Sequence, residues 1–436
     1  MSSFIIHPCK RVKGVISLAG DKSISHRALI LSSLSDAKTA IYNFPFSDDC
    51  LVTLDILQSL GIEIKKKSSS TIFVYGKGLS GFKRPRHILQ LKESGTSMRL
   101  FTGLLSAQDF PTQLDGSLSL RKRPMLRVIE PLSLMGAKIK AKKERGNLYL
   151  PIKILPSHLK AINWTMKIPS AQVKSAILLA GLYAKGKTVI YEPIPSRDHT
   201  ERMLQTFRAR IKKIGRKIIL WPSVLVSPKK IVVPGDISSA SFFIVLATLV
   251  RNSSLLIKNI SLNPTRLGIL NALEKMGARI RILQKTSSSD ELAGDLIIKS
   301  SSLKGIVITE HQIPTLIDEL PILMVAACFA RGKSRFEGVE ELRIKETDRI
   351  ESMITNLTKM GAHIELKHKQ NREVIEIEGT GKLKASKLEG FGDHRTVMSL
   401  VIAGLLADSS SEINDIDAVN KSFPHFFSLL NHLIAT

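Results

Sequence analysis

The chain has 436 residues, enough for two domains of roughly 200 each, and its 43% apolar and 23% charged residues exclude wholesale disorder. Sixty-four Lys and Arg against 38 Asp and Glu leave a net charge of +26. The basic runs (Lys65-Lys66-Lys67, Lys142-Lys143, Lys212-Lys213) are short, scattered and free of interleaved aromatics, which fits a solvated surface better than a nucleic-acid stripe.

Cys9, Cys50 and Cys328 are too few for a disulfide framework and have no metal-ligand spacing. No signal-type core builds up before Pro8 and Lys10, and no apolar run approaches the roughly 20 residues a membrane span needs. A soluble, cytoplasmic protein is expected.

In chain order, a polar capping cluster followed by an apolar helical stretch recurs six times. The copies are DKSISHRALILSSLS from Asp21, ESGTSMRLFTGLLSA from Glu93, PSAQVKSAILLAGLYAKG from Pro169, GDISSASFFIVLATLV from Gly235, IDELPILMVAACFARG from Ile317 and GDHRTVMSLVIAGLLA from Gly392. Their starts lie roughly 65–80 residues apart, outside the common solenoid periods. After most copies a second helix runs into a Gly turn and then a strand, as in LDILQSLGIEIKKK, VIEPLSLMGAKIKA, ILNALEKMGARIRI and MITNLTKMGAHIELK. Gly61, Gly136, Gly277 and Gly361 occupy the position just past a helix end, and β-branched segments such as Leu296–Lys299 and Val374–Ile377 follow as strands. Six mixed helix–strand modules of about 70 residues predict an α/β protein of two three-module domains.

Ser, Asp or Thr at the start of each first helix caps free N–H groups, and the dipole makes such ends suitable for anions; six capped helices are equally six well-formed helices. The residues that travel with the caps discriminate. Lys22 stands at a helix N-terminus, where the dipole disfavours a cation, and Ser23 and Arg27 lie one turn apart. Lys345 and Arg349 repel at i, i+4 unless a counterion intervenes, a part that Glu346 and Asp348 could play on a solvated helix face. Arg123, Arg395 and Lys421 sit at segment junctions. Asp318, before the apolar stretch Pro321–Ala330, is either a helix cap or a carboxylate base. No P-loop, dinucleotide fingerprint, nucleophile elbow or metal cluster appears, and His199 has no evident triad partner. A cation-lined, metal-free cleft with a few carboxylates suits the binding of phosphorylated anions and proton transfer between them.

The ordered motifs DKSISHRA, SGTSMR, KRPM, SAQVKSAILLAGL, SRDHTE, IDELP, RIKETDR, GDHR and KSFP, from Leu18 to Pro424, resemble the EPSP synthase (3-phosphoshikimate 1-carboxyvinyltransferase) family of the shikimate pathway, the glyphosate target. SAQ with RDHTE resembles a bacterial subgroup. The resemblance implies a two-domain inside-out α/β barrel, each domain of three βαββαβ-type repeats. Residues 21–235 would form the N-terminal domain and residues 1–20 plus 236–436 the C-terminal one. It implies enolpyruvyl transfer from phosphoenolpyruvate to the 5-hydroxyl of shikimate 3-phosphate, with no cofactor, no metal, no nucleic-acid or membrane partner, and a monomeric chain.

Carried over by position, Lys22, Ser23, Arg27, Ser170, Ala171 (through its backbone), Gln172, Arg197, Asp318 and Lys345 would contact shikimate 3-phosphate. Phosphoenolpyruvate would be held by Lys22, Gly95, Arg123, Gln172, Arg349, Arg395 and Lys421. Asp318 would accept the hydroxyl proton, and Glu346 and Lys22 would handle the proton at the methylene carbon. Planar Arg forks match phosphate and carboxylate, and proton shuffling with charge stabilisation needs no metal. Two departures stand out: Lys92-Glu93 replaces the family's Gly-Asn beside phosphoenolpyruvate, and Glu341 stands where an amide is usual. Glu93 would turn to solvent or pair with Lys92 or Arg123. The rival readings are the sister enolpyruvyl transferase acting on UDP-N-acetylglucosamine, whose family commonly carries a Cys in a mobile loop, and a basic RNA-binding protein of related repeats. The cysteine positions disfavour the first and the missing aromatic stripe the second.

Overall fold

The computed structural model describes residues 3–434 apart from 289 and 370–371. The six apolar stretches form helices α1 (Lys22–Ser33), α2 (Gly95–Leu105), α3 (Ala171–Gly181), α4 (Ile237–Leu249), α5 (Leu320–Cys328) and α6 (His394–Leu405). A helix that is apolar all round must be enclosed. Accordingly every residue of α5 and α6 is buried, as are Ile237–Thr248 of α4. At about 1.5–3 kcal/mol per buried large apolar side chain, these helices contribute a large share of the apolar burial that drives folding. The intervening helices, such as Gly268–Met276 and Arg349–Lys359, bury one face only.

Each module pairs its strands in one way. The strand before an inner helix runs parallel to the strand after it, and a helix leads from there into an antiparallel hairpin. Around α2, Leu89–Gln90 is parallel to Thr112–Asp115, which pairs with Asn147–Leu155, itself paired with Lys138–Glu144. Two modules exchange their first strands. Lys13–Ser17 leads into α1 yet lies parallel to Ser254–Ser261 after α4; Lys230–Val232 leads into α4 yet lies parallel to Lys38–Tyr42 after α1. The last module has no hairpin of its own. Its place beside Ser411–Asn414 is taken by the first strand of the chain, Ser3–Ile6, running antiparallel.

Among the described residues the result is six separate sheets, five of four strands and one of three, with no sheet closing on itself. The chain divides into two compact units. One comprises Gly20–Val233 with Ser287–Glu291; the other comprises Met1–Ala19, Pro234–Thr286 and Leu292–Thr436. Each has its own apolar core, and its inner helices pack on one another. In the first unit Gly103 of α2 lies against the backbone of Ala176 on α3, where a Cβ would collide. The helix-ending glycines behave as their position predicts. Gly61 has φ +87°, and the Ile62 N–H reaches back to the Leu57 carbonyl, closing a turn that an L-residue would strain. Among the described residues no helix is long and apolar enough to cross a membrane.

Candidate active site

In the unit of residues 20–233, the start of α1 gathers the first cluster. Asp21 caps the helix, accepting from the Ile24 N–H at 3.0 Å. Lys22 is the cation at the disfavoured end, and a carboxylate from the next helix compensates: its Nζ lies 2.6 Å from Asp49 Oδ2. Arg27 is buried and held by neutral oxygens. Its Nε donates to Thr200 Oγ1 at 2.6 Å, one terminal nitrogen to Ser175 Oγ at 2.7 Å, and the other to the Ser23 carbonyl at 2.8 Å. Burial lowers its pKa to about 10, which leaves it charged.

Serines cap the other two inner helices of this unit. Ser94 accepts from the Ser97 N–H and Ser170 from the Val173 N–H, leaving Gly95 and Ala171 as first helical residues. A Cβ on Gly95 would collide with the Arg123 guanidinium, so the missing side chain there is what admits Arg123. Gln172 bridges the helix starts: it accepts from Arg99 and its Nε2 donates to Thr96 Oγ1 at 3.0 Å. Glu93 is half-buried, and its Oε1 accepts from Ser119 Oγ at 3.2 Å. It thus reaches the short helix Leu118–Arg121. Arg197 follows Ser196 on the loop before helix His199–Thr206. His199, without an evident partner in the sequence, bonds through Nδ1 to Glu291 Oε1 at 2.6 Å.

In the other unit the carboxylates crowd together. Asp318 is not a helix cap: α5 starts at Leu320 after Glu319, and the Asp318 oxygens face arginines instead. Oδ1 lies 3.4 Å from Arg349 and Oδ2 3.7 Å from Arg395, which also donates to the Asp318 carbonyl at 3.0 Å. Arg349 is fully buried and further paired with Glu346 at 2.5 Å and Asp393 at 2.9 Å. Burial depresses its pKa, but the carboxylates of Asp393, Glu346 and Asp318 outweigh that and raise it. Asp393 also caps α6, taking the Arg395 N–H at 2.8 Å.

The expected i, i+4 pairing of Lys345 with Arg349 on one helix is corrected here. Asp348 caps the helix, accepting from the Ile350 and Glu351 N–H groups at 3.0 and 3.1 Å, so the helix starts at Arg349 and Lys345 lies in the turn before it. Burial there lowers the Lys345 pKa to about 8, against the opposing pull of Asp318. The expected counterions divide: Glu346 serves Arg349, whereas Asp348 pairs with Arg343 at 2.5 Å. Lys421 donates to the Gly392 carbonyl at 2.8 Å. The segment after it is anchored by Phe423 against Phe243 and Phe426, with ring centroids 6.0 and 5.8 Å apart.

Sequence reasoning missed the partners. Asp49, Asp393, Thr200 and Ser175 fix the named cations, and Arg99 holds Gln172. Four of them stood inside quoted motifs, Asp393 in GDHR, Arg99 in SGTSMR, Thr200 in SRDHTE and Ser175 in SAQVKSAILLAGL, where a cap, a helix-face cation and helix-face hydroxyls were sufficient readings.

The model of the family described as EPSP synthase (3-phosphoshikimate 1-carboxyvinyltransferase) matches residues 6–430. The chain belongs to the EPSP synthase family. It is 47% identical to the 3-phosphoshikimate 1-carboxyvinyltransferase of Petrotoga mobilis over 98% of both chains, and 42% identical to that of Geobacter metallireducens over the full length of both. EPSP synthase from Acinetobacter baumannii superposes with a TM-score of 0.87 at 39% identity, covering 99% of this chain and 98% of that one. The enolpyruvyl transferase NikO from Streptomyces tendae shares the fold at TM-score 0.79 and 16% identity, over 98% and 96% of the two chains. The α/β architecture is thus that of the enolpyruvyl transferases.

Proposed function

We propose that this chain is a transferase that moves the enolpyruvyl group of phosphoenolpyruvate to the 5-hydroxyl of shikimate 3-phosphate, releasing phosphate on the route to chorismate and the aromatic amino acids. Family membership along nearly the whole chain supports the reaction. The observation that carries the residue assignment is Asp318: a partly exposed carboxylate that precedes the N-cap of α5 and faces Arg349 and Arg395.

In this reading Ser23, Arg27, Ser170, Ala171, Gln172, Arg197, Asp318 and Lys345 bind shikimate 3-phosphate, with Lys22 touching both ligands. Gly95, Arg123, Gln172, Arg349, Arg395 and Lys421 bind phosphoenolpyruvate. Asp318 takes the proton of the 5-hydroxyl as its oxygen bonds to C2 of phosphoenolpyruvate, while C3 gains a proton. The tetrahedral adduct then loses the C3 proton and the C2–O bond to phosphate, which departs with the proton held by Asp318. Glu346, ion-paired with Arg349, is an anion suited to removing the C3 proton; Lys22, an ammonium held by Asp49, is suited to donating it. After product release Glu346 gives up its proton to water and Lys22 regains one from water, which restores both groups.

A coupled assay of phosphate release tests the function. Release should require both shikimate 3-phosphate and phosphoenolpyruvate, and release without shikimate 3-phosphate, or with UDP-N-acetylglucosamine in its place, would overturn it. The same proposal takes the enzyme to be monomeric and cytoplasmic; sedimentation at working concentration should give a single species near 48.2 kDa.

A further inference from the structure

Beneath α3 lies an ion triad that the assignment above does not use. Lys174 has no exposed side-chain surface, and its Nζ lies 2.7 Å from Glu201 Oε1 and 3.0 Å from Glu192 Oε2. Nζ also lies 3.4 Å from the Ser196 carbonyl. The two glutamates flank the loop that carries Arg197. Glu192 Oε1 accepts from both the N–H and the hydroxyl of Ser196, at 3.1 and 2.6 Å, so all three polar atoms of Ser196 are engaged one residue before Arg197. One ammonium therefore ties both ends of this loop to α3.

The residue after Lys174 and the residue before Glu201 form a second rung. Ser175 Oγ and Thr200 Oγ1 are 2.6 Å apart, and these are the two hydroxyls that hold Arg27. Ser175 donates to the Ala171 carbonyl at 2.6 Å, so it accepts from Arg27 and Thr200, and the donors and acceptors close without conflict. A buried charge is tolerated only when matched. Here Lys174 and Arg27 balance Glu192 and Glu201, and Glu201 is the carboxylate that acts most strongly on Arg27. Lys174 engages one oxygen of Glu201, and the other oxygen has no hydrogen-bond partner among the described residues. This ammonium is thus what offsets the carboxylate and leaves the charge of Arg27 to an external anion. Without it, Arg27 becomes the counterion of Glu201.

We propose that Lys174 is a positioning residue for shikimate 3-phosphate: by pairing with Glu201 and Glu192 it fixes the Arg197 loop and reserves Arg27 for the substrate phosphate. Burial by itself would depress the Lys174 pKa, but the two carboxylates outweigh it and hold the group protonated. This inference rests on the assignment of Arg27 and Arg197 to shikimate 3-phosphate.

The test is steady-state kinetics and calorimetry on the full chain. Lys174→Met should raise KM for shikimate 3-phosphate by about tenfold or more and leave KM for phosphoenolpyruvate within about twofold, as expected when a buried charge is stranded beside one ligand only. Glu201→Gln, which keeps the Lys174–Glu192 pair and an oxygen facing the ammonium, should leave shikimate 3-phosphate binding within about twofold of native, because the carboxylate it removes is one that Lys174 already offsets. The pair Lys174→Met/Glu201→Gln should recover most of what the first substitution loses. A double variant that binds no better than Lys174→Met, or a Glu201→Gln variant that binds more weakly than the native chain by more than that margin, would overturn the proposal; the latter decides the matter even if Lys174→Met does not fold. Arg27→Ala and Arg197→Ala probe the underlying assignment separately, since wild-type binding in both would refute that assignment rather than the role of Lys174.

Discussion

In the unit of residues 20–233 the buried Arg27 is held by a carbonyl and two hydroxyls, whereas in the other unit the buried Arg349 is held by the carboxylates of Asp318, Glu346 and Asp393. The helix starts divide less sharply. Ser94 and Ser170 cap α2 and α3 but Asp21 caps α1, while Asp236 and Asp393 cap α4 and α6. An arginine satisfied by neutral oxygens keeps its full charge for an incoming phosphate. One satisfied by carboxylates is already neutralised, and those carboxylates are proton acceptors in waiting. The first unit thus holds a buried guanidinium with neutral partners, and the second holds carboxylates able to take a proton beside theirs.

Stability gives the largest contrast. Arg349→Met removes the buried cation that Glu346 and Asp393 share, leaving Asp318 with Arg395, and should cost about 3–5 kcal/mol. Arg27→Met leaves hydroxyls that can bond each other but also leaves Lys174 to offset both Glu192 and Glu201, and should cost less, about 2–3 kcal/mol. Urea unfolding of the two variants measures both, and equal losses would break the comparison. Catalysis comes next. Asp318→Asn should lower kcat by about 100-fold or more, the usual loss on removing a general base, while KM for shikimate 3-phosphate changes by less than about fivefold. A variant with near-native kcat would show that Asp318 only balances the charge of Arg349 and Arg395.

The fold was legible where its signals are local. Capping residues, enclosed apolar helices and the Gly61-type turn each announce themselves within a few residues, so the sixfold period could be read. The exchange of Lys13–Ser17 and Lys230–Val232 could not, because it depends on which distant strand each one meets. In the site, the cations were legible through motif order, but their counterions were not. Asp393 before α6 or Asp49 at a helix start reads as an ordinary cap or first-turn acid whether or not an arginine or lysine lies across from it. Lys345 shows the same limit: whether it joins the helix of Arg349 turned on the side chain of Asp348.

Lys345 offers a pH test of the carboxylate-rich unit. Its pKa of about 8, lowered by burial among Asp318, Arg349, Glu341 and Glu346, means that it loses its proton just above neutrality. If it binds the substrate as a cation, KM for shikimate 3-phosphate should rise by up to about tenfold from pH 7 to 9, and Lys345→Arg should flatten that rise. Stability should move the other way. The unfolded chain holds this proton up to its ordinary value of 10.5 and the folded chain releases it near 8, so the contribution of Lys345 to stability grows as pH rises between the two and is lost as pH falls through 8. The difference between native and Lys345→Met unfolding curves isolates that contribution. A KM independent of pH up to 9 would remove Lys345 from the substrate contacts.

The smallest expected effect concerns Glu93, an anion in the unit that holds the buried Arg27 and its neutral partners. Its carboxylate accepts from Ser119 at 3.2 Å, so part of its role is to tie its loop to the helix Leu118–Arg121 that precedes Arg123. Charge and anchor can be separated. Glu93→Gln keeps an oxygen at the same reach to accept from Ser119 and removes the charge, so KM for phosphoenolpyruvate should fall by about two- to fivefold, at most about 1 kcal/mol for a half-exposed, screened group. Glu93→Asn is one methylene shorter and gives up the anchor with the charge, so its gain should be smaller, and Glu93→Ala should show none. Added salt should shrink the benefit of Glu93→Gln, since the Debye length falls from about 8 Å at physiological ionic strength toward 3 Å at 1 M. If Glu93→Gln weakens phosphoenolpyruvate instead, the carboxylate is needed as an anion to orient its loop, and the contrast between the two units does not hold there.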